Sequence, residues 1–372
     1  DLVRSRGLGD VYKRQTVSNV IHKRKEKVSP EIYRRVEKIL EEEQYVTHMG
    51  ARMLSAGGSR LIALILAYKR IEKESITEDP FVSSVIGAVQ LALQEKGYFL
   101  LLYSNPDMEE CVRISREWNV DGIILLGAKR EGYYKIKASL SVPVVSIDTP
   151  FSAEDKDYVN VGLKDYEAAK EMTKYLLSMG HRKIAFFSLT EGGELLEKHY
   201  IDSERYRGYK DAMEEEGLSA GVWHNLSFTE EWRKKQYLSF YEEKFFHATA
   251  LFVTADIMAL EMMRFCMDRA ISIPEQLSIA GFDGIKAGRC MHPMLTTMEQ
   301  DSAEKGRKAV KELLSLLSAG ACLFADAGEK QRVVSCKKEK ENSRNKVSDV
   351  EGKCKNILLP AKLFFGETVA RI

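Results

Sequence analysis

The sequence predicts an α/β protein: a doubly wound parallel-sheet domain of two lobes, preceded by a small all-helical segment. Three observations predict it. Seven short apolar runs recur between residues 61 and 283, helical patterns fill the gaps between them, and the first 60 residues are polar with no such run.

Each element follows from local chemistry. In TVSNVIHKR (16–24), Val17, Val20 and Ile21 share one helical face. Ser29-Pro30-Glu31 supplies a serine N-cap and an N1 proline for the helix EIYRRVEKILEEE, with Ile32, Val36, Ile39 and Leu40 inward. Between Thr16 and Arg60, nine Lys/Arg face six Glu, and Lys23, Arg24, Lys25 and Lys27 cluster between the two helices. A solvated loop and a nucleic-acid patch are both open readings of that cluster.

LIALILA (61–67), YFLLLYS (98–104), GIILLG (122–127), VPVVSID (142–148), KIAFFS (183–188), TALFVT (249–254) and LSIAGFD (277–283) read as strands covered on both faces. Helices are expected at 80–96, 106–118, 163–179, 203–216, 230–246, 255–270 and 301–319. YVNVG (158–162) into the next helix reads as a crossover between lobes, and 321–356 as an inserted or disordered surface loop before NILLPAKLFF resumes as a strand. Open parallel sheets take ligands at the carboxyl ends of their strands, so two facing lobes make a cleft.

The 372 residues are 44% hydrophobic, enough for two or three domains, which excludes a wholly disordered chain. A formal charge of +1 excludes a protein that is basic overall, so nucleic-acid binding would need a local patch. No apolar run approaches the ~20 residues needed to span a bilayer, and the N-terminus has no signal-like apolar stretch. A cytoplasmic protein without membrane contact is expected. Six scattered cysteines without C-x-x-C spacing read as free thiols, so no metal and no cofactor are expected. Residues 217–221, GLSAG, fit G-x-S-x-G, but a helix precedes them where the nucleophile elbow needs a strand. No catalytic constellation follows, and no enzyme is expected. His181 reads as structural, and Asp256 as a helix cap. SRGLGDVYKRQ (5–15) resembles the translated adapter of shotgun DNA libraries, so the native sequence is expected to begin near Thr16, with its true N-terminus missing.

Taken together, the motifs resemble the LacI/GalR family of transcription regulators from Thr16 to Leu363. TVSNVI resembles the recognition helix, VSPEIYRRVEKILEEEQYV the third helix, and ARML (51–54) the hinge helix. LSMGHRKIAFFS (177–188), SERYRGYKDAMEEEGL (203–218), TADIMALEMM (254–263), SIPEQLSIAGFDG (272–284) and HPMLTTMEQD (292–301) resemble the family's remaining blocks. Thr47-His48, Ala255 and Gly366 depart from its usual residues. The resemblance implies a partial helix-turn-helix DNA-binding domain at 16–46, a hinge and linker at 47–60, and a two-lobed periplasmic-binding-protein-like effector and dimerisation domain at 61–372, with 1–15 non-native.

It also implies roles and partners. Thr16, Ser18, Asn19 and His22 would lie on the exposed face of the recognition helix, with Asn19 reading adenine. Ala51, Arg52 and Leu54 would form a hinge that wedges into the minor groove. Arg205, Asp283, Asp148, Gln300, Asp79, Phe81 and Phe228 would line the effector cleft. Partners would be a pseudo-palindromic double-stranded operator, a small effector of carbohydrate type, and a second copy of the chain in a homodimer. The alternative is a periplasmic-type sugar-binding protein without DNA binding. With the family's first helix missing, Val17, Val20 and Ile21 are expected to lack their packing partner, and DNA binding to be poor.

Overall fold

The computed structural model describes residues 14–21, 23–43, 45, 58–68, 75–189, 200–221, 223–227, 229–330 and 354–372. The chain divides into two compact units, Asp1–Ser59 and Arg60–Ile372.

The first unit holds helices α1 (Arg14–Ile21) and α2 (Pro30–Glu42). Ser29 caps α2, its Oγ accepting from Ile32 N at 3.5 Å, with Pro30 at the first turn. Val17 and Val20 are buried in a cluster with Tyr33 and Val36, so the apolar face of α1 is covered and the expectation that it lacks a partner is not met. Tyr33 rather than Ile32 turns inward; Ile32 is 36% exposed because the α2 stripe runs 33, 36, 40. Helix α1 begins at Arg14, within the adapter-like stretch.

The second unit contains two six-stranded sheets. The first has the order β11-β5-β4-β3-β1-β2, all parallel: β1 (Leu61–Leu66), β2 (Phe99–Ser104), β3 (Gly122–Leu126), β4 (Val144–Ile147), β5 (Val159–Leu163) and β11 (Lys355–Leu359). All residues of β1 and β3 are buried, as both faces are covered. Helices α3 (Pro80–Glu95), α4 (Met108–Glu117) and α5 (Arg130–Ser139) connect its strands. The second sheet has the order β12-β10-β9-β8-β6-β7: β6 (Ile184–Leu189), β7 (Trp223–Leu226), β8 (Ala250–Val253), β9 (Ser278–Asp283), β10 (Thr296–Gln300) and β12 (Ala361–Phe364). Only β12 runs antiparallel to its neighbour. Its helices are α6 (Asp165–Ser178), α7 (Tyr200–Glu215), α8 (Glu230–Glu242), α9 (Asp256–Met267) and the short α10 (Lys286–Arg289). Helix α11 (Ser302–Lys330) packs back onto α3 and the first sheet.

All seven expected strands form. YVNVG is most of β5 and leads into the crossover as expected, the chain passing to the second lobe between Leu163 and Asp165. The chain crosses again between Gln300 and Ser302 and between Leu359 and Ala361, where Pro360 splits NILLPAKLFF into strands of different sheets. Helix α11 runs to Lys330, ten residues into the stretch read as a loop; 331–353 lie outside the described residues. The R-x-x-G block has a packing reason. A Cβ on Gly208 of α7 would run into the Tyr166 carbonyl of α6, so glycine lets these helices touch backbone to backbone.

Candidate functional site: the interlobe cleft

The carboxyl ends of the first sheet supply one wall. Asp79 caps α3, Oδ1 accepting from Phe81 N at 2.8 Å and Val82 N at 3.1 Å, which anchors Phe81 at the start of that helix. Burial raises the Asp79 carboxyl above its ordinary range, against the pull of those two amides. Tyr68, just after β1, lies against Gly127 at the end of β3; a Cβ there would sit 2.5 Å from the ring, and φ is +70°. Burial raises the Tyr68 phenol far above its ordinary value, and Asp148, Asp79 and Asp283 push it further. Asp148 follows β4 at φ 57°, a left-handed conformation that costs a non-glycine residue energy. Both its oxygens accept from Lys305 Nζ, at 2.7 and 2.8 Å, and Lys305 is 1% exposed with its ammonium 5.1 Å from the Phe81 ring centre.

The second lobe supplies the facing wall. Arg205, 7% exposed on α7, donates through Nε to Asp165 Oδ1 at 2.8 Å and through Nη1 to the Thr254 carbonyl at 2.7 Å. Its guanidinium stacks on Phe282 at 3.7 Å. Burial raises the Asp165 carboxyl, with Arg205 and Lys305 opposing. Asp202 accepts from Thr254 Oγ1 at 3.2 Å and is pushed up to about 6, by burial first, with Arg205 opposing. Asp283 ends β9 at φ 119° and accepts from Gln300 Nε2 at 2.6 Å. Burial holds the Asp283 carboxyl well above its ordinary range; Arg205 opposes this, and Asp256 and Asp79 reinforce it. Gln300 is 7% exposed, and its Oε1 is buried without a hydrogen-bond partner among the described residues.

Asp79, Phe81, Asp148, Arg205, Asp283 and Gln300 thus gather at one cleft, linked across it by the influence of Asp79 on Asp283 and of both on Tyr68. Phe228 lies outside the described residues. Four cleft residues were not foreseen: Tyr68, Asp165, Asp202 and Lys305. Asp202 stands one helical turn before Arg205, so spacing from an expected residue could have found it, whereas Lys305 is tied to Asp148 only across 157 positions of sequence.

Two readings are corrected. Asp256 is not a cap: Ala255 occupies that position, and Asp256 instead accepts from Ile285 N at 2.8 Å and Thr297 Oγ1 at 2.6 Å, bracing the end of β9 from behind. Burial pushes it up to about 7. Asn19, expected on an exposed face, is 6% exposed, because it shares the inner side of α1 with Val20; its Oδ1 has no partner among the described residues. Thr16 and Ser18 are half-buried, Lys23 to Lys27 are exposed, and His22, Ala51, Arg52 and Leu54 lie outside the described residues. His181 is buried, Nδ1 lying 2.9 Å from Thr249 Oγ1. No helix among the described residues is long and apolar enough to cross a membrane.

Residues 173–334 match the family model described as a periplasmic binding protein-like domain. The ribose operon repressor of Haemophilus influenzae is 28% identical over 309 residues, covering 80% of this chain and 86% of that protein. The HTH-type transcriptional regulator MalR of Clostridium butyricum is 25% identical over 337 residues, covering 86% and 92%. Among solved structures, the Lac repressor dimer bound to operator and the anti-inducer ONPF has a TM-score of 0.73 at 20% identity, over 96% of this chain and 95% of that one, a likeness of fold. The homologues are transcription regulators, not enzymes. With its two parallel-sheet lobes, the chain is similar over most of its length to transcription regulators of the LacI type.

Proposed function

We propose that this chain is a cytoplasmic repressor that binds a pseudo-palindromic double-stranded operator as a homodimer and releases or grips it according to a small effector in the interlobe cleft. The observation that carries the reading is the cleft itself: buried carboxylates, a stacked arginine and an unpartnered glutamine oxygen converge where two parallel sheets end. The relatives point the same way: one is named as the repressor of a ribose operon, one as a transcriptional regulator, and the Lac repressor was solved on its operator. They favour a regulator over a transport-type sugar-binding protein.

In this reading residues 16–46 dock on DNA, 47–60 form the hinge, and 61–372 bind effector and dimerise. Thr16, Ser18 and the exposed Lys23, Arg24, Lys25 and Lys27 contact phosphates, while His22, Ala51, Arg52 and Leu54 reach the grooves. Asn19 takes no base-reading role while it is buried. Asp79, Phe81, Asp148, Arg205, Phe228, Asp283 and Gln300 hold a carbohydrate-type effector. Effector and operator favour different lobe arrangements, coupled by about 1–3 kcal/mol.

The test is selection of duplexes from a random library by the whole chain, then anisotropy titrations with and without pentoses, hexoses and disaccharides. The expected result is an enriched inverted repeat whose affinity shifts five- to 150-fold, on the order of that coupling, with one class of sugar. Failure to enrich any duplex, with sugar binding retained, would favour the transport-type reading.

A further inference from the structure

Hydrogen-bond donors and acceptors in the cleft are unequally used. Arg205 spends Nε and Nη1 on Asp165 and the Thr254 carbonyl, Lys305 spends its ammonium on both oxygens of Asp148, and Gln300 spends Nε2 on Asp283. The acceptors are not matched in the same way. Gln300 Oε1 is buried and unpartnered among the described residues, although the side chain is more than nine-tenths buried. Arg205 faces Asp165, Asp202 and Asp283, with Lys305 also acting on Asp165, while Asp79 adds a fourth, part-buried carboxylate from the opposite lobe. Tyr68 stands among Asp79, Asp148 and Asp283, and Phe81 borders the same space.

What completes such a site donates hydrogen bonds and carries positive charge. A neutral hydroxyl supplies the donor without the charge, and an anion meets four carboxylates. An ammonium supplies three donors and a full charge, and an aromatic wall suits it as well.

We propose that the effector is a small polyhydroxylated amine, of the amino-sugar class, whose ammonium sits between Asp283 and Asp79, donates to Gln300 Oε1 and lies against Tyr68. This rests on the reading of the cleft as an effector site. Asp283 and Gln300 set specificity from the second lobe and Asp79 from the first, so the ammonium draws the two walls together.

The experiment is calorimetric and thermal-shift titration of the whole chain at pH 7. Matched probes are glucosamine, galactosamine and mannosamine, each beside its neutral parent sugar and its N-acetyl derivative. The expected result is that at least one amine binds about tenfold or more tightly than both its neutral partners, as for hydrogen bonds to a charged group. Asp283→Asn and Gln300→Met should each erase that preference, and their melting temperatures without ligand report whether they fold. A neutral sugar that binds as tightly as its amine would overturn the inference and leave the effector reading standing. No binding by any amine would overturn it too, and the effector reading would then rest on the neutral probes alone.

Discussion

The two walls of the cleft solve the same electrostatic problem differently. On the first lobe each buried carboxylate has its own local compensation: Asp79 takes the amides at the start of α3, and Asp148 takes the whole ammonium of Lys305. On the second lobe Asp165, Asp202 and Asp283 share Arg205, and the neighbouring Gln300 keeps an unpartnered oxygen. A buried charge is tolerable only when paired and hydrogen-bonded, so the first wall is complete without a ligand and the second is not. Ligand binding therefore has most to gain on the second lobe.

Arg205→Ala should have the most severe consequence. It strands three buried carboxylates at once and should destabilise the second unit by about 3–5 kcal/mol in urea denaturation, besides removing the effector response. Arg205→Lys should recover only part of this, since one compact ammonium cannot span both Asp165 and the Thr254 carbonyl as the fork does. A cost below about 1 kcal/mol would mean the carboxylates are already neutral or wet. Next comes Lys305→Met, expected to cost about 3 kcal/mol because Asp148 is left alone. Adding Asp148→Asn should restore most of the loss. The corresponding pair Arg205→Met with Asp165→Asn should restore little, because Asp202 and Asp283 still lack a counter-charge. Equal restoration in both lobes would remove the distinction between them.

The second lobe also carries the carboxyls that make stability depend on acidity. Asp256 is raised to about 7 and Asp202 to about 6 in the folded chain, both above the unfolded value of 3.8. A carboxyl raised on folding contributes stability that is complete below its unfolded pKa and lost as pH rises through the folded one. The urea midpoint should therefore be higher at pH 6.5 than at pH 8, through Asp256 together with its raised neighbour Asp283, by at most about 1.4 kcal/mol per pH unit for each proton. Below about 6.5 the buried His181 and His224, whose pKa values burial lowers, oppose any further gain. Asp256→Asn should flatten the slope between pH 6.5 and 8; an unchanged slope would place the titrating group elsewhere.

The apolar strands were legible because parallel strands buried on both faces leave no alternation to misread, and LIALILA became β1 almost residue for residue. The strands that escaped, β5 and β10, are mixed in polarity, while NILLPAKLFF, expected as one strand, is two because Pro360 divides it between sheets. The family resemblance located six cleft residues, several of which stand at strand ends or helix starts. It could not locate Lys305, whose partner Asp148 lies 157 positions away, nor show that Asp256 faces Thr297 rather than its own helix. Asn19 shows the converse: a polar residue one position from Val20 looks exposed by type but is buried by the turn of α1.

The smallest expected effect is the most discriminating. Gln300→Met removes an unpartnered buried oxygen, a relief of about 1–3 kcal/mol, and also the bond to Asp283, a loss of similar size. The two should nearly cancel, leaving the ligand-free chain within about 1 kcal/mol of wild type by urea denaturation. A first-lobe residue of equal burial has no such neutrality, since Lys305 and Asp148 lose a completed bond with nothing gained. A loss above about 2 kcal/mol at Gln300 would mean that its oxygen is satisfied in solution, for instance by ordered water. The second wall would then be as complete as the first, and the ligand would have to displace that water rather than fill an unmet need.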